Sequence, residues 1–206
     1  MSRYRGPKGK IVRRFGTNIY GTPKFDRLLA NRPNPPGQHG ATHNRRKLSD
    51  YGQQMLEKQK LKYCFGVTEK QFRITFERAR RMQGITGDNL LILLESRYDN
   101  VVYRAGLAPT RDAARQLVLH GHLSVNGRRV NIPSCTMRAG DTITVKDSSR
   151  SLALTRRYLE ESVHREVPEW VQVDQENLKV VVDRTPLRTD LQSVANEQLV
   201  VELYSK

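Results

Sequence analysis

The chain has 206 residues, a formal net charge of +15 and a sequence pI near 10.2. That length can bury a core in one or two domains, and that charge calls for a polyanionic partner, either nucleic acid or an anionic membrane surface. A bilayer span is excluded because the longest apolar run, Leu90 to Leu94, is far too short, and two cysteines, Cys64 and Cys135, are too few for a disulfide framework.

Positive charge falls away along the chain. Residues 1–97 hold 21 Lys and Arg against 7 Asp and Glu, residues 98–147 hold 7 against 4, and residues 148–206 hold 8 against 10. The first 47 residues carry 12 basic side chains and one acid, Asp26. The polyanion is therefore expected mainly on the N-terminal half, with the C-terminal third as scaffold. Met1 to Lys10 is basic but leads into no apolar signal-peptide core. The expected location is the cytosol or an organelle of bacterial descent, where both thiols stay reduced.

Residues 1–47 are rich in Arg, Lys, Gly, Pro and Asn. The stretch 32–40 (Arg-Pro-Asn-Pro-Pro-Gly-Gln-His-Gly) cannot be regular structure, since its prolines lack N–H donors and its glycines allow φ > 0. Apolar punctuation at Ile11, Val12, Phe15, Ile19, Tyr20 and Phe25 favours an ordered wrap against RNA over a solvated tail.

A helix follows Ser49 as N-cap, with Asp50 in its first turn. The run Tyr51 to Tyr63 places Tyr51, Met55 and Gln59 on one face and Lys58, Lys60 and Lys62 on others. Gly66 stops it. Thr68-Glu69-Lys70-Gln71 reads as a capping box opening a second helix. There Phe72, Thr75, Phe76, Ala79 and Met82 recur at helical spacing as a buried stripe, with Arg73, Arg78, Arg80 and Arg81 around the remaining circumference. Gly84 ends it, and a third helix after Asp88 runs through Leu90, Leu91 and Leu94.

Val101 and Val102 begin a short apolar turn ending at Gly106. Thr110 then caps a helix from Arg111 to His120 whose narrow face is Ala113, Ala114, Leu117 and Val118. Leu123-Ser124-Val125, Asn126-Gly127 and Arg128-Arg129-Val130 form a hairpin, since Asn and Gly tolerate the positive φ of a type I′ turn. Gly140-Asp141 is another turn and Thr142 to Lys146 a strand. A helix around Leu152 to His164, strand-like runs at Trp170–Asp174 and Leu178–Asp183, and an apolar end at Leu199–Tyr204, docking as a strand or extended tail, complete the chain. The fold class is α+β: a helical N-terminal lobe plus a lobe with a helix-turn-helix-like unit and a small antiparallel sheet. The expected division is a basic extension at 1–47, a helical lobe at 48–97 joined by the tail 191–206, and a second lobe at 98–190 with its core motif at 98–147.

Within 98–147, Arg111 and Arg115 are one helical turn apart and share a face. Arg128 and Arg129 follow the hairpin turn, with His120, His122 and Asn126 between the two clusters in sequence. A rigid helix and a rigid hairpin can straddle a phosphate ridge, and arginine's planar fork suits phosphate oxygens. On spacing alone, a solvated charged helix face remains the alternative.

The string Arg97-Tyr98-Asp99-Asn100-Val101-Val102-Tyr103-Arg104-Ala105-Gly106, then Ala113 to Val118 and Gly121 to Arg128, closely resembles the S-four RNA-binding domain. The flanks Met1 to Pro7, Pro35 to Gly40, Ser49 to Gly52, Glu57 to Leu61 and Asn196 to Lys206 resemble the bacterial small-subunit ribosomal protein S-four family, nearly end to end. The resemblance implies a structural constituent of the small ribosomal subunit. Such a protein would bind small-subunit ribosomal RNA at a helix junction of the 5′ domain and nucleate assembly. It would also line the side where messenger RNA enters, acting there on decoding accuracy and messenger unwinding. Implied RNA-binding residues are Arg3, Tyr4, Arg5, Lys8, Lys10, Arg13 and Arg14 in the extension, Lys58, Lys60, Lys62 and Arg73 in the helical lobe, and Arg104, Arg111, Arg115, His120, His122, Asn126, Arg128 and Arg129 beyond it. Arg45, Arg46 and Lys47 fall at the position implied to meet messenger RNA. Implied neighbours are ribosomal proteins of the S-five and S-three families. A non-ribosomal factor carrying the same domain and visiting ribosomal particles is the alternative.

Some relatives carry an early cysteine cluster that binds zinc or an iron–sulfur centre. Here Gly9 and Val12 occupy the corresponding positions and no cysteine precedes Cys64, so neither metal nor cofactor is expected. An enzyme is not expected either: the chain has no Walker-type glycine loop, no His-Glu-x-x-His and no Gly-x-Ser-x-Gly. Asp99, Asp112 and Asp141 read as caps and turn residues.

Overall fold

The computed structural model describes residues 4–43, 48–191 and 194–205. Along the chain come α1 (Lys8–Phe15), α2 (Pro23–Asn31), α3 (Gly40–His43), α4 (Asp50–Cys64), α5 (Glu69–Arg81), α6 (Thr86–Glu95), α7 (Tyr98–Arg104) and α8 (Arg111–Leu119). There follow β1 (Leu123–Val125), β2 (Arg128–Arg129), β3 (Thr142–Val145), α9 (Ser149–Ser162), β4 (Val171–Asp174), β5 (Lys179–Val182), a 3-10 turn at Arg188–Asp190, and α10 (Glu197–Ser205). The described residues fall into two compact units, one drawn from 1–87 and 193–206, the other from 88–192. The fold is α+β, in keeping with the sequence pattern. Among the described residues no helix is long and apolar enough to cross a membrane.

The first unit is helical. Its N-terminal part is more regular than the composition suggested. Ile11, Val12 and Phe15 fall on one face of α1 and are buried. Gly16, at φ +66°, closes that helix with its N–H on the Val12 carbonyl, 2.9 Å away. Pro23 opens α2, where its fixed φ and missing N–H are harmless. Between α2 and Gly40 the chain has no regular element, and Arg13 ties it down through Nε to the Asn34 carbonyl (2.9 Å) and Nη2 to that of Pro35 (3.3 Å).

In α4, Ser49 Oγ accepts from the Gly52 N–H, and in α5 the Thr68 hydroxyl accepts from the Gln71 N–H. The buried face of α4 is Gln54, Lys58, Leu61 and Cys64, and Tyr51 stands exposed. The α5 stripe holds at Phe72, Phe76 and Ala79 but ends there, because the helix stops at Arg81 and Met82 turns extended and exposed. The chain end is the main revision. Leu199 to Tyr204, expected as a strand or extended tail, lies within α10, which packs along α4. Asn196 Oδ1 receives the Gln198 N–H (3.0 Å) at the start of that helix, Val200 is buried, and the Tyr204 ring stacks on Phe76 at 4.6 Å.

The second unit is helices against a sheet. The expected turn at Val101–Val102 is instead the helix α7, whose start is anchored by the Tyr98 N–H on the Cys135 carbonyl (2.8 Å). It packs against α8, with Val101, Val102, Ala114, Leu117 and Val118 fully buried or nearly so. One antiparallel sheet in the order β2-β1-β3-β5-β4 joins the hairpin to the C-terminal strands. Asn126 (φ +49°) and Gly127 (φ +76°) make the β1–β2 turn in the left-handed region, as that dipeptide implied. Leu123, Ile143, Trp170, Val171, Val180 and Val182 join the α7–α8 residues in one core.

Candidate nucleic-acid interface

The second unit sorts its cations into those that build the frame and those that face outward. Asp99 lies at the centre of the frame. Its carboxylate accepts from Arg97 Nε (3.1 Å) and Nη2 (2.9 Å) and from Arg115 Nη1 (2.9 Å). All three residues are buried, Arg115 to 6 % exposure. Arg115, expected to hold RNA phosphate, is therefore a buried partner of Asp99. The spacing argument was right that Arg111 and Arg115 share a helix face, but that face turns toward α7, which buries Arg115 and leaves Arg111 partly exposed at its edge. Arg111 lies half-buried, its Nε donating to Asn100 Oδ1 (2.8 Å) and its Cζ 4.4 Å from the centroid of the Tyr103 ring.

A second buried acid, Glu95, takes Arg104 through two bonds, from Nε (2.9 Å) and Nη2 (2.6 Å), and also accepts from the Asn100 amide. Burial pushes the Glu95 carboxyl upward, but the hydrogen bond and charge of Arg104, with Arg111 and Asn100, outweigh it and hold the group below the ordinary carboxylate range. Arg104 is thus tied by a charged fork to the end of α6 and is only partly exposed.

The outward patch centres on the hairpin. Arg128 and Arg129 form β2, an exposed edge strand. The Arg129 guanidinium lies against Gly121, so close that a Cβ there would stand 2.4 Å from its Nε. His120 is exposed, and its ring centroid is 6.1 Å from that of His122. His122 Nδ1 meets Ser151 Oγ at 2.9 Å. Burial, then the charges of His120, Arg150 and Lys146, keep the His122 imidazole below its usual range. The Asn126 amide donates to Asp141 Oδ1 and its Oδ1 accepts from the Thr142 N–H, both at 2.9 Å. It braces the turn from an exposed position.

In the first unit the same sorting occurs. Lys58, at 6 % exposure, is inside, its Nζ 2.6 Å from Glu69 Oε1. Lys62 reaches the other Glu69 oxygen (3.2 Å), and Lys60 pairs with Glu57 at 2.6 Å. Of these three lysines, expected on RNA, Lys58 and Lys62 tie α4 to Glu69 at the start of α5 and Lys60 pairs within α4 itself, because a mostly buried ammonium needs a carboxylate close by. Desolvation pushes the Glu69 carboxyl up, but hydrogen bonds from Lys58, Lys62 and Tyr204 bring it below the ordinary value. Lys8 lies over the Tyr20 ring, and Tyr4 packs edge-on against Tyr63 at 5.3 Å. Arg5, Lys10 and Arg14 are exposed. Arg73 pairs with Glu77 across an exposed helix surface, a contact worth little in water. Arg3, and the Arg45, Arg46 and Lys47 cluster, lie outside the described residues.

Three cations in these surroundings were missed: Lys146, Arg150 and Arg165. Lys146 was recoverable, because β3 pairs antiparallel with β1 and its end must lie beside His122; the Lys146 N–H indeed meets the His122 carbonyl at 2.8 Å. Arg150 reaches His122 from α9, and Arg165, just after α9, reaches the α7–α8 connection; no spacing rule connects either to its neighbours. Among the described residues no cluster of three His, Cys, Asp or Glu could hold a metal; Cys64 is buried and Cys135 partly buried.

A cationic patch on a helix-and-hairpin frame, whose buried acids are committed to internal arginines, marks a nucleic-acid-binding protein. Comparison with known proteins places it further. Residues 3–95 match the family described as the ribosomal protein S4/S9 N-terminal domain, and residues 97–143 match the S4 domain. The small ribosomal subunit protein uS4 of Borrelia duttonii (strain Ly) is 51 % identical over 207 residues, covering all of this chain and 99 % of that protein. The uS4 proteins of Roseiflexus castenholzii (52 % over 208 residues, all of both chains) and Borreliella burgdorferi strain B31 (48 % over 207 residues, all of this chain and 99 % of that one) are similar. The chain belongs to the uS4 family of ribosomal proteins, which are structural and not enzymatic.

Proposed function

We propose that this chain is a structural constituent of the small ribosomal subunit, located in the ribosome. It binds small-subunit ribosomal RNA at a helix junction of the 5′ domain, early in assembly. Arginines and lysines on two rigid units neutralise phosphates, and RNA is read by shape more than by base sequence. The observation that carries this reading is the outward patch of Arg128, Arg129, His120, Lys146 and Arg150 on a frame whose buried acids already have their own cations. The sequence resemblance at Arg45, Arg46 and Lys47 supports a contact with messenger RNA where it enters the subunit. Neighbours of the S-five and S-three families fit the same assignment.

Sedimentation in high salt tests it. A subunit component stays with the small subunit, whereas a factor that only visits ribosomal particles washes off. Loss of the protein from washed subunits, or failure to bind the 5′-domain RNA at physiological ionic strength, overturns the proposal. Replacing Arg45, Arg46 and Lys47 with Ala should spare assembly but slow translation through a messenger hairpin. Unaffected hairpin transit would remove the messenger contact.

A further inference from the structure

We infer that Arg165, which lies beyond the matched S4-domain segment, is a positioning residue that aims Arg111 at an RNA phosphate; this rests on the RNA-binding reading above.

Arg165 follows α9 and reaches back to the connection between α7 and α8. Its Nη1 donates to the carbonyls of Tyr103 and Ala108, both at 2.9 Å, and its Nη2 to that of Pro109 at 2.8 Å. The Tyr103 carbonyl belongs to the last turn of α7, where helix carbonyls lose their in-helix partners. The other two belong to the link that leads into Thr110, the cap of α8. One planar fork therefore fixes both ends of the link, which an ammonium could not match in shape. Arg111 is the first residue of α8, so the direction in which it leaves the cap is set by that link.

The second tie is the Tyr103 ring. Arg165 Cζ lies 4.0 Å from its centroid and Arg111 Cζ lies 4.4 Å from the same point. Stacking on an aromatic ring holds a guanidinium plane with little entropy left to lose. The same ring is thus shared by the arginine that locks the link and the arginine that emerges from it. Burial disfavours the Arg165 cation, Tyr103 favours it, and Arg111 and Arg104 disfavour it again. An RNA phosphate beside Arg111 relieves that repulsion.

The test uses the full chain and in-vitro transcribed 5′-domain ribosomal RNA. The slope of log K against log salt is measured for wild type, Arg111→Ala, Arg165→Met, Arg165→Lys and the Arg111→Ala/Arg165→Met pair. Active fractions come from stoichiometric titration and folding from circular dichroism. Arg111→Ala should flatten the slope by roughly 0.7 to 0.9, one phosphate contact. Arg165→Met should lose the same amount, the pair no more than either, and Arg165→Lys should not rescue it. A wild-type slope in Arg165→Met overturns the inference by making Arg165 a purely structural clamp. A doubled loss in the pair overturns it too, since Arg165 would then touch its own phosphate, and so does full rescue by Lys. If Arg165→Met fails to fold, Arg165→Lys carries the test alone. Wild type that shows no salt-dependent binding refutes the RNA-binding proposal instead, so the two failures are distinguishable.

Discussion

Asp99→Ala is the sharpest test of the division between frame and interface. Asp99 accepts three charge-assisted hydrogen bonds from Arg97 and Arg115, and the three residues are between 5 and 7 % exposed. Removing one partner of a buried ion pair costs about 3–5 kcal/mol, because the remaining charge keeps its desolvation penalty. Here two guanidinium groups are left behind, so the upper part of that range is expected. For a unit of this size the loss corresponds to a fall in melting midpoint of roughly 10 to 20 °C. Trp170 is the only tryptophan, and it is buried in the same core as α7 and α8. Its fluorescence therefore reports unfolding of the second unit alone. Replacing Arg97 and Arg115 with Met together with Asp99→Leu should restore most of the loss, since an apolar substitute for a whole buried triad is often neutral. A single Asp99→Ala variant melting within about 1 kcal/mol of wild type would refute the reasoning.

Other outcomes follow from the same geometry. Arg128→Ala and Arg129→Ala should each flatten the salt dependence of RNA binding by about one slope unit with little change in stability, whereas Arg115→Met should lower stability and leave the slope intact; filter binding and melting curves separate the two. His122 is held below its usual range, so the stability that depends on its neutral form is present above about pH 6.5 and fades as pH falls through the lower folded value. RNA phosphate favours the imidazolium, so binding should tighten as pH falls below the ordinary His range of about 6.5; an unaltered pH dependence in a His122→Asn variant would exclude this group. Glu95, held below the carboxylate range, contributes stability above about pH 4.5 that is lost as pH falls through its folded value. Glu95→Gln should destabilise the second unit at neutral pH and shrink its acid sensitivity, as followed by Trp170 emission across an acid titration.

Local chemistry made much of the chain readable. Ser49, Thr68 and Thr110 cap helices because a hydroxyl followed by a helical run has few better uses. Asn126-Gly127 makes its hairpin because few other pairs accept two positive φ values in succession. The chain end illustrates the opposite case. Leu199 to Leu203 is short and apolar enough to be strand or helix, and its docking along α4, with Gln54 bonded to Glu202 at 3.0 Å, decides for helix.

The sequence by itself determined that this protein is basic, α+β, and built around a capped helix followed by an Asn-Gly hairpin. Those features depend on residues within a few positions of one another. Only the tertiary structure decided which cations are paired inside the fold and which stand exposed. Lys58 and Arg115 look like interface residues in the sequence, but each is packed against an acid, Glu69 and Asp99, supplied by another part of the fold. Whether a positive charge is spent inside or offered outside depends on which carboxylate the fold brings within about 3 Å, because a charge away from water needs an opposite charge at that range.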